Sequence, residues 1–263
     1  MGVRWVGIAV LAAWAVAAQG QAATPEGQTA ATLQAELEKL GAAAQSLQHD
    51  LPSFECMEAA LSQSLKKGKV KEQARFVATV RVQRGEEGRL HEKFEVTELN
   101  GKPYKGAGFE PPFMVLGGFG EALDFFLPVR QMCFRYKLRE GRIDFDSLPG
   151  TFDRPECGET GAPHGFALLD EAGNVTHLER QVPAEFARQV HVVDSTAIDF
   201  VPTELDGKVY PLTLKMTADV PKEDGVTLHF EATYTGCHLF KATSRILPGI
   251  TPIPEGDAAP PHP

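Results

Sequence analysis

The sequence predicts a mainly β fold of the α+β class, a single antiparallel sheet with a helix or two on one face. Three observations predict it. The apolar pattern changes from period 3.6 before Pro52 to period 2 after it. The alternating segments come in pairs joined by turn residues, which marks hairpins rather than parallel crossover units. No internal repeat and no linker divides the 263 residues, a length that one core can serve.

The first element is a targeting segment. Trp5 to Ala18 is an unbroken run of apolar or small residues, and Arg4 is the only charge before Pro25. The run is too short for a spanning helix, which needs about 20 apolar residues. Gly20-Gln21-Ala22 follows in the pattern of a signal-peptidase site, so residues 1–22 read as a signal peptide cleaved near Ala22. The mature protein is then periplasmic or secreted, with no transmembrane segment left after cleavage.

Residues 23–50 hold the helical segment. Leu33, Leu37, Leu40, Ala44 and Leu47 recur at helical spacing and predict a helix over 31–47 with one face on the body.

The sheet domain is expected over 51–247. Phe76, Ala78, Val80 and Val82 share one face of a strand. Leu90, Phe94 and Val96 share a face of the next, with Arg84 to Gly88 as the turn between them. Met132 to Leu138 reads as a strand. Gly165 to Leu169 and Asn174 to Val182 read as a short hairpin. Gln189 to Glu204 reads as a long strand that turns at Asp206-Gly207. The next strand points Tyr210, Leu212, Leu214, Met216, Ala218 and Val220 one way, with Thr213, Lys215, Thr217 and Asp219 opposite. After a turn at Lys222 to Gly225, Val226, Leu228, Phe230, Ala232 and Tyr234 face in. A short central helix is expected over Glu121 to Phe126, stopped by Pro128. Lys66, Lys67, Lys69 and Lys71 around Gly68 mark a solvated hairpin end. Residues 248–263 carry six prolines and read as a disordered tail.

Export changes how the cysteines read. Cys56, Cys133, Cys157 and Cys237 are even in number and form no Cys-x-x-Cys pair, so disulfides are expected rather than zinc or thioredoxin-like chemistry. Three pairings are possible. Cys133–Cys157 with Cys56–Cys237 is favoured, the second tying the first strand to the last. In the chain-entropy model these loops contribute roughly 3 and 5 kcal/mol.

Charge and motifs exclude several functions. A formal net charge of −9 disfavours nucleic acid and anionic membrane surfaces. Gly118-Phe119-Gly120 lacks the third glycine of a dinucleotide fingerprint, since Leu123 stands there. His191, Asp194 and Ser195 cannot form a local relay, because Asp194 points away from the other two on an extended strand. The eight histidines show no metal-binding spacing. Glu92, Glu95, Glu98, Asp144, Asp146 and Asp153 read as solubilising charge. No catalytic residue, metal or cofactor is expected, and the protein reads as a non-enzyme.

Phenylalanine is the one excess with a functional reading. Phe109, Phe113, Phe119, Phe125 and Phe126 fall within 18 residues that also hold Pro111, Pro112 and Met114. A Pro- and Phe-rich segment of this kind either packs the core or lines an apolar pocket. Phe109, Phe113, Met114, Phe119, Phe125 and Phe126 are the candidate ligand-binding residues.

Leu51 to Cys56, Gly117 to Phe126, and Gly165 to Asp170 followed by Val175 to Glu179 carry a family resemblance. Together they resemble a group of secreted bacterial proteins of unassigned function, and the last pair is similar to the strand pair of lipoprotein-carrier (LolA/LolB-like) proteins. The resemblance covers roughly residues 50–245 and implies a strongly curved, incomplete antiparallel barrel closed by helices around an apolar cavity. The four cysteines and the Pro-rich tail depart from the carrier pattern, and no residue here matches the carriers' arginine, so lipoprotein transfer is not implied. The resulting expectation is an exported protein that binds a lipid or other apolar ligand on a concave sheet. The alternative is a cell-envelope scaffold with a filled core and a protein partner.

Overall fold

The computed structural model describes residues 25–240 apart from 86, 107, 117, 152–153, 158–161, 184–194 and 223. The signal segment and the Pro-rich tail lie outside the described residues, as do His191, Asp194 and Asp153.

Helix α1 (Pro25–His49) is followed by a single antiparallel sheet of eleven strands. These are β1 (Phe54–Lys66), β2 (Lys69–Arg84), β3 (Leu90–Leu99), β4 (Lys102–Pro103), β5 (Phe134–Arg139), β6 (Arg142–Ser147), β7 (His164–Leu169), β8 (Val175–Gln181), β9 (Ser195–Leu205), β10 (Lys208–Pro221) and β11 (Val226–Leu239). Their spatial order is β4-β3-β2-β1-β11-β10-β9-β8-β7-β6-β5. The sheet does not close, because β4 and β5 stand at opposite edges.

This order imposes the path of the central segment. Residues 104–133 must carry the chain from one edge to the other. Ten inter-strand steps of about 4.8 Å make roughly 48 Å along the sheet. Loops of this length are uncommon unless they have a function or a surface to cover. Here Phe119, Leu123, Phe125 and Phe126 are buried in the same core as β1, β2, β10 and β11. The segment therefore crosses the apolar face of the sheet and covers it.

The strands follow their sequence. On β1, Phe54, Cys56, Glu58, Ala60 and Ser62 alternate inward. On β2 the inward set is Ala74, Phe76, Ala78, Val80 and Val82. The four-lysine patch sits at the β1–β2 turn, where Lys67 and Gly68 both have positive φ. Asp206 and Gly207 do the same between β9 and β10, as a two-residue type I′ turn requires. Gly165 on β7 meets a different demand: a Cβ there would lie 2.0 Å from the Glu179 carbonyl oxygen and 2.8 Å from the Phe145 ring.

Helix α1 buries Leu37, Leu40, Ala44 and Leu47, the expected face. Each leucine contributes about 1.5–3 kcal/mol by leaving water. Its C-terminus is tied down by three contacts. Lys208 Nζ pairs with Asp50 at 2.6 Å, the Tyr210 hydroxyl donates to the Asp50 carbonyl at 3.1 Å, and Arg84 donates to the Gln48 and Leu51 carbonyls at 2.9 Å. The Lys208 ammonium also holds the Asp50 carboxyl below its usual range.

Three elements depart from expectation. The alternation of β10 breaks at a bulge between Thr213 and Lys215, which leaves Leu214 37% exposed and buries Thr213. The disturbance is local, since Leu212 before it and Met216, Ala218 and Val220 after it are all buried. The short central helix is present but shifted: Asp124–Phe126 forms a 3-10 turn, and one α-helical turn, α2, follows at Pro128–Gln131. Pro128 starts that turn rather than stopping one, since a proline at the first helical position has no amide to satisfy. β5 begins at Phe134, with Met132 exposed ahead of it, and pairs with β6 as a hairpin the sequence pattern did not mark. β9 is described from Ser195; the earlier part of its expected span lies outside the described residues.

Both expected disulfides are present. Cys56–Cys237 joins β1 to β11, and Cys133–Cys157 ties the start of β5 to a 3-10 turn at Pro155–Cys157. Two disulfides fit a location outside the cytoplasm. No described helix is long and apolar enough to cross a membrane.

Candidate functional site

The candidate site is the inner face of the sheet together with the segment that covers it. Strand alternation places a chemically mixed row there. Phe54, Glu58 and Ser62 come from β1, Glu92 from β3, and Phe230 and Tyr234 from β11.

The structure separates the six candidate residues into two groups and a remainder. Phe109, Phe113 and Phe119 stand on the β1–β2–β11 side. The Phe109 ring meets Phe76 edge-on at 5.2 Å, and Phe113 meets Phe230 at 6.4 Å. Phe119 is wedged between Phe54 at 5.2 Å and Tyr234 at 5.0 Å, both edge-on. Phe125 and Phe126 belong to a second aromatic cluster on the β5–β6 side. Phe125 stacks on Phe145 at 5.1 Å, and Phe126 meets the same ring edge-on at 5.8 Å. Such pairs contribute about 0.5–1.5 kcal/mol each beyond their buried area. Met114 joins neither group and is 40% exposed.

Three hydrogen bonds help hold the first group in place. The Ser62 hydroxyl donates to the Phe113 carbonyl at 2.6 Å and accepts from the Phe113 amide at 2.9 Å. The Phe119 amide donates to Glu92 Oε1 at 3.3 Å. On the other side the Tyr136 hydroxyl donates to the Phe125 carbonyl at 2.5 Å, and Gln131 donates to the carbonyls of Phe126 and Leu37. Burial raises the Tyr136 phenol above its ordinary value.

The electrostatics of the inner face are unusual for a packed core. Glu58 has no exposed surface. It accepts one hydrogen bond, from the Tyr234 hydroxyl at 3.1 Å, and its Oε2 has no hydrogen-bond partner. Burial pushes its carboxyl up to about 7, the Tyr234 hydrogen bond opposes this, and the charge of Glu92 adds to it. Tyr234 is raised too, first by burial and then by the two glutamates. Asp124 is pushed up to about 6 by burial, against the pull of Arg130 at 3.3 Å. Arg180, on β8, lies 5.9 Å from the Phe125 ring and donates to Thr196 Oγ1 at 3.1 Å. Burial lowers its guanidinium, and its Nε has no partner. The inner face therefore carries acid at the β1–β3–β11 end and a cation at the β8 end.

Sequence reasoning missed Glu58, Ser62, Glu92 and Tyr234 as a group. The signal was available in part, since Glu58 and Ser62 share the parity of Phe54 and Cys56, and a charged residue at an inward position is rare. The described residues contain no cluster of three potential metal ligands.

Several grooves open elsewhere, two of them near the helix and the far edge strands. One, of about 550 Å³, lies between α1 and the β5–β6 and β7–β8 turns, lined by Thr32, Glu36, Leu138, Leu169 and Gly173 among others. Another, of about 510 Å³, lies on β5–β8 beside Arg142 and Phe166. Neither is lined by any of the six candidate residues.

No protein-family model matches the chain, and no curated protein matches it. Solved structures do. The chain is similar to a LolA superfamily protein from Nitrosomonas europaea, at 9% identity over 78% of this chain and 94% of that one, with a TM-score of 0.35. It is similar to a DUF1329 family protein from Desulfovibrio piger, at 11% identity over 80% and 94%, with a TM-score of 0.38. It is also similar to a domain described as an outer membrane lipoprotein-sorting protein from Vibrio parahaemolyticus, at 11% identity over 78% and 92%, with a TM-score of 0.42.

Proposed function

We propose that this protein is an exported, non-enzymatic binding protein that holds an apolar or lipid-like ligand on the concave face of its sheet. The observation that carries the reading is what covers that face. A sandwich would cover it with a second sheet. Here the cover is one helix and the crossing segment 104–133, whose Phe109, Phe113 and Phe119 sit on the sheet as separate aromatic anchors. Among the described residues, Ser62 and Glu92 tie the stretch around Phe113 and Phe119 to the sheet through three hydrogen bonds. At about 0.5–1.5 kcal/mol net each, these are weak ties for a cover of this size. Lifting it would bare Phe54, Phe76, Phe230 and Tyr234 to an apolar chain. The signal segment and the disulfides support a periplasmic or secreted setting.

The test is to purify the protein from an envelope fraction and extract it for amphiphiles, with native mass spectrometry alongside. A co-purifying amphiphile, or displacement of a fluorescent apolar probe, is the expected result. A clean protein that binds no probe, even with Phe119→Ala in the cover, overturns it.

The filled inner face favours a second reading. Phe119 and Phe126 are at most 1% exposed, as a permanent core would have them. The protein would then be an envelope scaffold whose contacts lie outside the core. Pull-downs with and without residues 23–50 separate the two, since only a scaffold that uses the helix as its contact loses partners.

A further inference from the structure

Glu58 is the group that the packing of the inner face leaves unexplained. Buried carboxylates are retained where something pairs with them, because burial without a partner is costly. Among the described residues Glu58 pairs with no basic side chain, and its one contact is the neutral Tyr234 hydroxyl. A second carboxylate, Glu92, acts on the same site and receives the Phe119 amide from the cover. Glu58 Oε2 is buried without any hydrogen bond. Glu58 Oε2 therefore keeps acceptor capacity that no described residue fills, and Glu92 stands beside it under the cover. The cover's own N–H already stands where a ligand's N–H donor would stand on Glu92.

We propose that Glu58 and Glu92 form the head-group end of the ligand site, and that the ligand is an amphiphile whose head is a protonated amine. This rests on the binding reading above. When Phe119 leaves, the Tyr234 ring and both carboxylates face the vacated space together. An ammonium brings three donors and no acceptor, which suits two carboxylates better than any hydroxyl head does. The aromatic face of Tyr234 adds a cation–π contact. The apolar tail then lies along Phe54, Phe76 and Phe230 in place of the segment. An anionic amphiphile would be drawn instead to Arg180 beside Phe125. That end is the weaker attraction, since a single guanidinium, bonded to Thr196 and with only its Nε unpartnered, stands there against two carboxylates here. The net charge of −9 also favours the cation.

The experiment measures displacement of an apolar fluorescent probe by dodecylamine, dodecanol and laurate at pH 8, each below its micelle concentration. Dodecylamine should bind about tenfold or more tighter than dodecanol, as charge-assisted hydrogen bonds imply, with laurate weakest. In Glu58→Gln, and more weakly in Glu92→Gln, that preference should collapse until amine and alcohol bind alike. Circular dichroism confirms that both variants are folded. Equal binding of all three, tightest binding of laurate, or an amine preference that survives Glu58→Gln overturns the head-group assignment and leaves the binding reading standing. If none of the three displaces the probe from the intact protein or from Phe119→Ala, both fall.

Discussion

Replacing Glu58 with glutamine should stabilise the protein increasingly as pH rises from 4.5 to about 7, hold that gain at higher pH, and change little below pH 4.5. The folded-state carboxyl is raised from 4.5 to about 7, chiefly by burial. Between those values the folded state binds the proton more tightly than the unfolded chain does. Wild-type stability therefore falls as pH rises through that window. A difference of this size, at 1.36 kcal/mol per unit, amounts to about 3 kcal/mol once pH exceeds 8. Below about pH 4.5 both states are protonated and the effect vanishes. Glutamine is neutral throughout, keeps the shape, and can still accept from Tyr234. The raised Asp124 carboxyl is present in both proteins and cancels in the difference. Urea denaturation from pH 4 to 8.5 should give midpoints that coincide at the acid end, diverge as pH rises from 4.5 towards 7, and keep a constant gap above pH 8. The divergence at pH 8 should match a Tm gain of about 5–10 °C in a domain of this size. A gap that is constant across the whole pH range, or a variant less stable at pH 8, would refute the account of Glu58 as a carboxyl buried without compensation.

Three further outcomes follow from the packing. Gly165→Ala should destabilise by about 1–3 kcal/mol or prevent folding, because the added methyl meets the Glu179 backbone, and thermal melts will show whether it does. Ser62→Ala removes both contacts to Phe113; limited proteolysis should then cut residues 104–120 several-fold faster while the melting temperature falls by only a few degrees. Reducing Cys56–Cys237 in a Cys133→Ser, Cys157→Ser background should cost up to about 5 kcal/mol in denaturant titrations, since that bond closes a loop across 181 residues.

Much of the architecture was legible because it rests on local parity. Period-2 alternation identified β2, β3, β10 and β11, turn residues marked the β7–β8 hairpin, and helical spacing identified the buried face of α1. Even cysteines and element order led to the observed disulfide pairing. Legibility failed where one residue changes the count or where a short segment lacks a pattern. The bulge at Thr213–Lys215 has no glycine or proline to announce it. The central turns at Asp124–Phe126 and Pro128–Gln131 are too short for a period to form. The candidate site was half legible. The phenylalanine concentration was visible, yet its division between two clusters depends on which strands the segment crosses.

By itself the sequence determined which residues alternate, where the hairpins turn and which cysteines were available. These are short-range matters of backbone preference and side-chain parity. Only the tertiary structure decided that β1 pairs with β11, which sends β4 and β5 to opposite edges. That placement makes residues 104–133 cross the inner face and cover it. It also brings Glu58, Glu92 and Tyr234 together under Phe119 from three strands far apart in the chain. Their altered acidity comes from burial and mutual charge, which exist only once the sheet has formed and the segment has closed over it.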